Sequence, residues 1–282
     1  MLTLTAKDII VRPLDSRTAS AFVRRVHYSG SVAGNSQMHF GVYLGNRLEG
    51  VMQFGPSLDK RKIQGLVRDT GWNGFIELNR MAFSDNLPRN SESRALSVAF
   101  RLMRKHAPYV KWIVSFADAT QCGDGTIYRA SGFVLTGIKK NNQMWLLPDG
   151  SIESRASLTN KSALLVQRRA INRINAMNGG SMIFTGAATM KPYIDAGAKP
   201  LDGFQLRYIY FLDPAYRDRL TVPVIPFSEI ERQGASMYRG QKRAGIIGSD
   251  LPDVQSGEGG ATPTPALQIN VTSGGGNNGT RN

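Results

Sequence analysis

Asp118 closes the apolar run "VKWIVSFAD", and Tyr128 follows in "GDGTIYRASGF". An acid at a strand end and a tyrosine on the next helix can be set over one cleft. There Asp118 can accept a proton from an amine, and Tyr128 can give one to a leaving group. The same pair has a plainer reading, in which Asp118 caps the following turn and Tyr128 packs half-buried. A second group lies in "LPRNSESR", residues 87–94, where a turn leads into a helix. Ser91, Ser93, the unpaired amides of the first helical turn and the flanking Arg89, Asn90 and Arg94 make an anion site there, since the helix dipole favours phosphate. Its plainer reading is a helix start capped by Ser91 with solvated arginines. The third group is "HYSG", with His27, Tyr28 and Ser29 at the end of the first helix. His27 can serve as a base, a ligand or a stacking platform, or simply as a partner for the helix dipole.

The fourth group is basic. Residues 154–190 contain no Asp or Glu but do contain Arg155, Lys161, Arg168, Arg169 and Arg173, and "DKRK" at 59–62 adds Lys60, Arg61 and Lys62 in what reads as a hairpin-flanking loop. These side chains suit contact with a phosphate backbone. The whole chain of 282 residues carries a formal charge of +14, with a pI near 10.2. Such an excess favours polyanionic partners, either nucleic acid or an anionic membrane face. No apolar run approaches the ~20 residues of a spanning helix, and "MLTLTAKDIIVRP" lacks the apolar centre of a secretory signal. Cys122 is the single cysteine, which excludes an internal disulfide and a CxxC zinc site. A reducing, cytoplasmic location is the expectation, without a membrane partner.

The elements that must hold these groups can be read from periodicity. A strand and a helix capped near Asp15-Ser16 open the chain. "HFGVYLG" and "LEGVMQFG" follow as a hairpin turning on Gly45-Asn46, then the strand "GFIELNRMAFS". Residues 91–106 place Leu96, Phe100 and Met103 on one helical face, and Pro108 ends that helix. Then come the strand to Asp118, a short helix Thr126–Ser131 stopping on Gly132, the strand "FVLTG" and the strand "QMWLLPDG". This order describes an α+β fold, a mixed sheet flanked by helices. "NKSALLVQRRAINRINAM" is a basic amphipathic helix, and "LRYIYFLDP" is a late strand returning to the sheet. The expected organisation is a core over 1–150, a basic helical segment with the returning strand over 151–231, and a disordered Gly/Ser/Thr/Pro/Asn-rich tail over 232–282.

Strand, phosphate-suited turn, helix, strand and a short helix ending in "SGF" resemble the GCN5-related N-acetyltransferase fold. That resemblance implies a sheet splayed between its fourth and fifth strands, "FIELNRMAF" being the fourth, with acetyl-coenzyme A or a related acyl donor in the gap. "PRNSESRA" would be the pyrophosphate turn, but it departs from the usual Q/R-x-x-G-x-G/A, with Glu92 and Arg94 at the small-residue positions. Longer blocks go further. "HYS", "GVMQFGPSLDKRK", "ELNRMAFSDNLPRNSESRA", "KWIVSFADATQCGDGTIYRASGFVLTGIKK" and "LPDG" resemble the Mom-type DNA-modification proteins of Mu-like phages over roughly residues 20–150. This resemblance implies conversion of adenine in double-stranded DNA to N6-(carbamoylmethyl)adenine, which protects phage DNA from restriction. It implies Asp118, Tyr128 and Arg80 as catalytic residues, Ser91 and Ser93 in the turn, and "HYS" as part of the site. The target adenine would be flipped from the duplex. That product carries a methylene on N6, which direct acyl transfer would not give, so the donor is left open. A metal bound by His27, Tyr28 and Asp118 is conceivable. The rival expectations are an N-acetyltransferase acting on a protein or small amine, and a DNA-binding protein without catalysis.

Overall fold

Alternating apolar residues build a seven-stranded sheet whose middle comes apart. The computed structural model describes residues 4–120, 123–141, 143–160, 163–180, 189–238 and 241–242. Strands β1 (Ile9–Pro13), β2 (Met38–Leu44) and β3 (Arg47–Gly55) pair antiparallel in turn. Gly45, at φ +59°, makes the two-residue β2–β3 connection. Helix α1 (Ser16–Val26) starts at Asp15, whose Oδ1 accepts the Thr18 N–H at 2.8 Å. The "DKRK" stretch is not a loop. Asp59 caps it, accepting from the Lys62 N–H, and Lys60–Gln64 form the short helix α2.

Strand β4 (Phe75–Phe83) lies antiparallel to β3, with a register shift that leaves Asn79 as an extra residue between Leu78 and Arg80. Helix α3 (Ser91–His106) then buries Leu96, Phe100 and Met103. Its cap differs from the expectation. Asn90 is the capping residue, in the left-handed region at φ 68°, which asparagine tolerates better than most residues. Ser91 is already helical and fully buried, and its hydroxyl donates back to the Pro88 carbonyl at 2.6 Å. Ala107 leaves the helical region ahead of Pro108, as a residue before proline is pressed to do.

Strand β5 (Trp112–Asp118) runs parallel to β4, but only Phe75–Glu77 pair with Trp112–Val114. Beyond these residues the two strands separate. Helix α4 (Thr126–Ala130) and strand β6 (Val134–Lys140) follow. "QMWLLPDG" does not extend this sheet. Its strand, β7 (Met144–Leu146), forms a separate three-stranded sheet between β8 (Ile152–Ser154) and β9 (Lys199–Pro200). That sheet belongs to an inserted unit with helices α5 (Arg155–Thr159), α6 (Leu164–Asn178) and α7 (Lys191–Asp195). The unit has its own core of Trp145, Leu147, Leu158, Ile171, Ile174 and Tyr193. Strand β10 (Phe204–Phe211) then returns between β5 and β6, giving the order β1-β2-β3-β4-β5-β10-β6.

Alternation gives the sheet two faces. Met52, Phe54, Ile76, Leu78, Ile113, Ala117, Leu206 and Tyr208 point to the face covered by α3. Val51 and Ala82 point to the opposite face, under α1, and Trp112, Val114 and Ile209 point there with Ile63 of α2. The folded chain runs past the expected start of the tail. Helix α8 spans Ser228–Arg232, Ala235 is buried, and Met237–Tyr238 pair with Gln241–Lys242. The remainder of the expected tail, 243–282, lies outside the described residues. Among the described residues no helix is long and apolar enough to cross a membrane.

Gly125 couples this architecture to α4. It sits at φ +81°, and a Cβ there would fall 2.5 Å from the Tyr208 ring. Gly125→Ala is expected to destabilise the fold by about 2–4 kcal/mol, combining left-handed strain with overpacking. Chemical denaturation of the variant beside the parent measures this. Equal midpoints would show that the Tyr208 contact does not fix α4.

Candidate active site

Where β4 and β5 separate they leave a cavity of about 400 Å³. Its walls include His27, Tyr28, Arg80, Asp118 and Tyr128, so three parts of the chain distant in sequence meet in one place. Asp118 ends β5, and its Oδ1 accepts the Thr120 N–H at 2.9 Å. It therefore caps the next turn and lines the cavity together. By strand alternation its side chain lies on the α1 face, as do those of Phe116 and Arg80. The Arg80 guanidinium is steered by two backbone carbonyls, with Nε donating to Ser31 at 3.0 Å and Nη1 to Asn79 at 2.7 Å.

His27 follows α1, and its ring lies 4.2 Å from that of the exposed Tyr28. The Ser29 N–H donates to His27 Nδ1 at 3.2 Å, and the Ser29 hydroxyl lies 2.8 Å from the same nitrogen. With Nδ1 accepting, the neutral ring carries its proton on Nε2. Burial and, second, the Arg80 charge push His27 down to about 4.

Tyr128 reaches the cavity from the α3 face. Its ring packs against Phe133 and Tyr208, each 5.2 Å away between centroids. The preceding turn is tied down from two sides. The buried Tyr208 hydroxyl donates to the Asp124 carbonyl, while Asp124 Oδ1 accepts from the Thr126 hydroxyl and from Arg129 Nη2, each at 3.0 Å. The cavity thus has an acid, an arginine and a neutral histidine on one face of the sheet and a tyrosine on the other.

A second cavity of about 390 Å³ continues along the start of α3 and is lined by Arg89, Asn90 and Ser93. It shares Phe83, Glu92, Thr126 and Ile127 with the first. The residues here do not fit the diphosphate of coenzyme A well. Glu92 and Asp85 line the groove against the one arginine, Arg89, and like charge opposes a phosphate. Ser91 is turned inward, and the Ser93 hydroxyl donates to the Asn90 carbonyl at 3.1 Å. Arg94 is not among the lining residues. Glu92 is a cavity residue that the sequence marked only as a missing glycine. Phe116 and Met81 also line the gap and carried no signal beyond their strands.

The basic residues divide. Arg61 and Lys62 are exposed on α2, and Lys60 stands 4.5 Å over the Trp72 ring while donating to Asn73 Oδ1 at 3.2 Å. Arg168 and Arg169 are exposed on α6. Arg173 is not presented outward in the same way. Its Nε meets Asp149 Oδ2 at 2.6 Å and its Nη2 meets Glu153 Oε1 at 3.0 Å, tying α6 to β8 and the turn before it. Lys161 lies outside the described residues. Among the described residues no three His, Cys, Asp or Glu side chains are grouped to hold a metal ion.

A seven-stranded sheet in this order, splayed after a short parallel pairing and with a helix beginning beyond the splayed strand, is the GCN5-related N-acetyltransferase fold. Within it, the chain belongs to the Mom protein family, whose match spans residues 8–229. The methylcarbamoylase mom of Escherichia phage Mu is 40% identical over 133 residues, covering 47% of this chain and 55% of that protein. This chain thus spans about half the length of that curated relative. Among solved structures, the ribosomal-protein-S18-alanine N-acetyltransferase of Escherichia coli matches at 10% identity and TM-score 0.37, over 74% of this chain and 97% of that one. A GNAT-family acetyltransferase of Streptococcus pneumoniae matches at 12% identity and TM-score 0.32, over 47% and 88%.

The electrostatics at His27 give a direct expectation. With its folded value near 4, below the ordinary 6.5, protonation favours the unfolded chain. Its contribution to stability is therefore complete above about 6.5 and is lost as pH falls from there toward 4. An NMR titration should show the His27 ring neutral from pH 5 to 8. Arg80→Gln should raise its midpoint while leaving it below 6.5, because burial remains. A midpoint near 6.5 in the parent protein would contradict this geometry.

Proposed function

We propose that this protein is an enzyme that modifies DNA, converting adenine to N6-(carbamoylmethyl)adenine and so protecting the DNA from restriction. The observation that carries the reading is the meeting of Asp118, Arg80, His27 and Tyr128 in one gap between β4 and β5. Membership of the Mom protein family and the name of the phage Mu relative support it.

The adenine N6 amine is stacked, paired and delocalised into the ring, so the base must leave the duplex to react. The α1 face suits its entry. Phe116 and the tilted pair His27–Tyr28 offer aromatic surfaces for the flipped base. There N6 attacks the methylene of a donor carrying a primary amide. The N6–C bond forms as the bond from that carbon to its leaving group breaks. Asp118, held by Thr120, takes the N6 proton on the base side. Tyr128 gives a proton to the leaving group on the donor side, and Arg80 stabilises negative charge developing between them. His27, neutral and protonated on Nε2, serves as a hydrogen-bond donor rather than a base. The donor is not assigned to coenzyme A, because Glu92 and Asp85 oppose its diphosphate.

Duplex DNA is the proposed partner. Arg61 and Lys62 on α2 and Arg168 and Arg169 on α6 are the proposed backbone contacts. Arg173 is left out of this set because two carboxylates already hold it.

The test is mass spectrometry of nucleosides from plasmid DNA of cells expressing the protein, beside Tyr128→Phe and Asp118→Asn variants. The expected result is a carbamoylmethyl mass on deoxyadenosine in the parent, reduced at least about 100-fold in either variant. Unmodified deoxyadenosine in the parent sinks the reading. Undiminished modification in the variants removes those two residues from the chemistry.

A further inference from the structure

Two cations share the face of the sheet that carries Asp118, on the β10 and β6 side of it. In the register of β10, Gln205 is opposite Asp118 of β5 on one side and opposite Lys139 of β6 on the other. Residues directly opposite in an antiparallel pair share a face, so Asp118, Gln205 and Lys139 form one row. Two strand spacings separate its ends, about 10 Å. Gln205 and Lys139 are both exposed.

Arg207 lies on the same face, two residues along β10 from Gln205 and opposite Phe116. Its guanidinium folds over Gly137, where a Cβ would stand 3.4 Å from Arg207 Cζ. Nε donates to the Thr136 hydroxyl at 3.0 Å and Nη2 to the Thr136 carbonyl at 2.7 Å. Gly137 and Lys139 are alternate residues of β6, so the guanidinium lies beside the root of Lys139. Among the described residues neither cation is in an ion pair, although Arg207 is half-buried. Burial lowers the Arg207 guanidinium from its ordinary value with no carboxylate acting in the opposite direction. A half-buried, anchored guanidinium next to an exposed lysine is an arrangement that recognises a phosphate.

We propose that Arg207 and Lys139 clamp a phosphate of the flipped nucleotide while its adenine lies over Phe116 with N6 at Asp118. The row from Asp118 to Lys139 is comparable with the span of an adenine nucleotide from its exocyclic amine to a flanking phosphate. Gln205, between the two ends, is placed to contact the sugar. The clamp makes entry of the correct base depend on its own backbone, so that cleft occupancy and strand position are fixed together. It rests on the DNA-modification reading for its substrate, but its test does not require modification to occur.

The test is binding of deoxyadenosine, deoxyadenosine 5′-monophosphate and deoxyadenosine 3′-monophosphate to the purified full chain, by calorimetry. The parent should bind one monophosphate about tenfold or more tightly than the nucleoside. Lys139→Ala should remove most of that preference while leaving nucleoside affinity unchanged, and Lys139→Arg should retain it. Arg207→Gln should do the same as Lys139→Ala. Because Arg207 is half-buried, the exposed Lys139 pair decides the matter if that variant misfolds. No preference for either monophosphate in the parent, no nucleotide binding at all, or a preference unmoved by Lys139→Ala would overturn the clamp. Modified plasmid adenine together with any of these results would leave the function standing and the clamp wrong. A Lys139-dependent preference with unmodified plasmid would do the reverse.

Discussion

The short pairing of β4 with β5 is the constraint on which the rest of the molecule depends. Three residue pairs hold the strands together at Phe75–Glu77 and Trp112–Val114, and then the ladder stops. Backbone groups released this way must find other partners or stay in contact with solvent, since a buried unpaired amide is costly. On one side β4 continues along β3 through the irregularity at Asn79. On the other, β5 is carried by β10 for its full length, Trp112 to Asp118. The strands can therefore separate without either losing its neighbour. A sheet that stayed closed at this place would have no cavity and would keep Asp118 and Tyr128 on opposite sides of a wall.

That separation also sorts the chemistry. Alternation sends Asp118, Phe116 and Arg80 to the α1 face, while Tyr128 reaches the gap from the α3 face, anchored by its contacts with Phe133 and Tyr208. In the proposed reaction a proton leaves the amine on one side of the sheet and another is delivered to the leaving group on the other. The two groups need not compete for one position, and each can be oriented by its own shell. Asp118 is held by Thr120, and Tyr128 by the turn that the buried Tyr208 and Asp124 secure. Neutral His27 fits this division, since its burial and the charge of Arg80 both disfavour a second cation there.

Much of the frame was legible from the sequence because its signals are local. The spacing of Leu96, Phe100 and Met103, the Gly45 turn, and the strand-end position of Asp118 before the short helix of Tyr128 all report on neighbouring residues. Features fixed by distant partners were not legible. "QMWLLPDG" is a strand by pattern, but only its pairing with β8 and β9 puts it in a separate sheet. Arg173 looks like its neighbours Arg168 and Arg169 until Asp149 and Glu153 are brought against it. Asn90 stands at the N-cap position without a side-chain capping bond, while the buried Ser91 hydroxyl donates to Pro88. The row Asp118–Gln205–Lys139 joins three strands, one of them arriving after an insertion of about sixty residues, and no spacing rule could have found it.

The most direct measurement of the central claim is a crystal structure of the full chain with deoxyadenosine 5′-monophosphate. The account predicts the adenine ring on the α1 face of the gap, against Phe116, with N6 about 2.6–3.2 Å from the Asp118 carboxylate. Density for the base on the α3 face, beside Glu92 and Thr126, or outside the gap altogether, would contradict it.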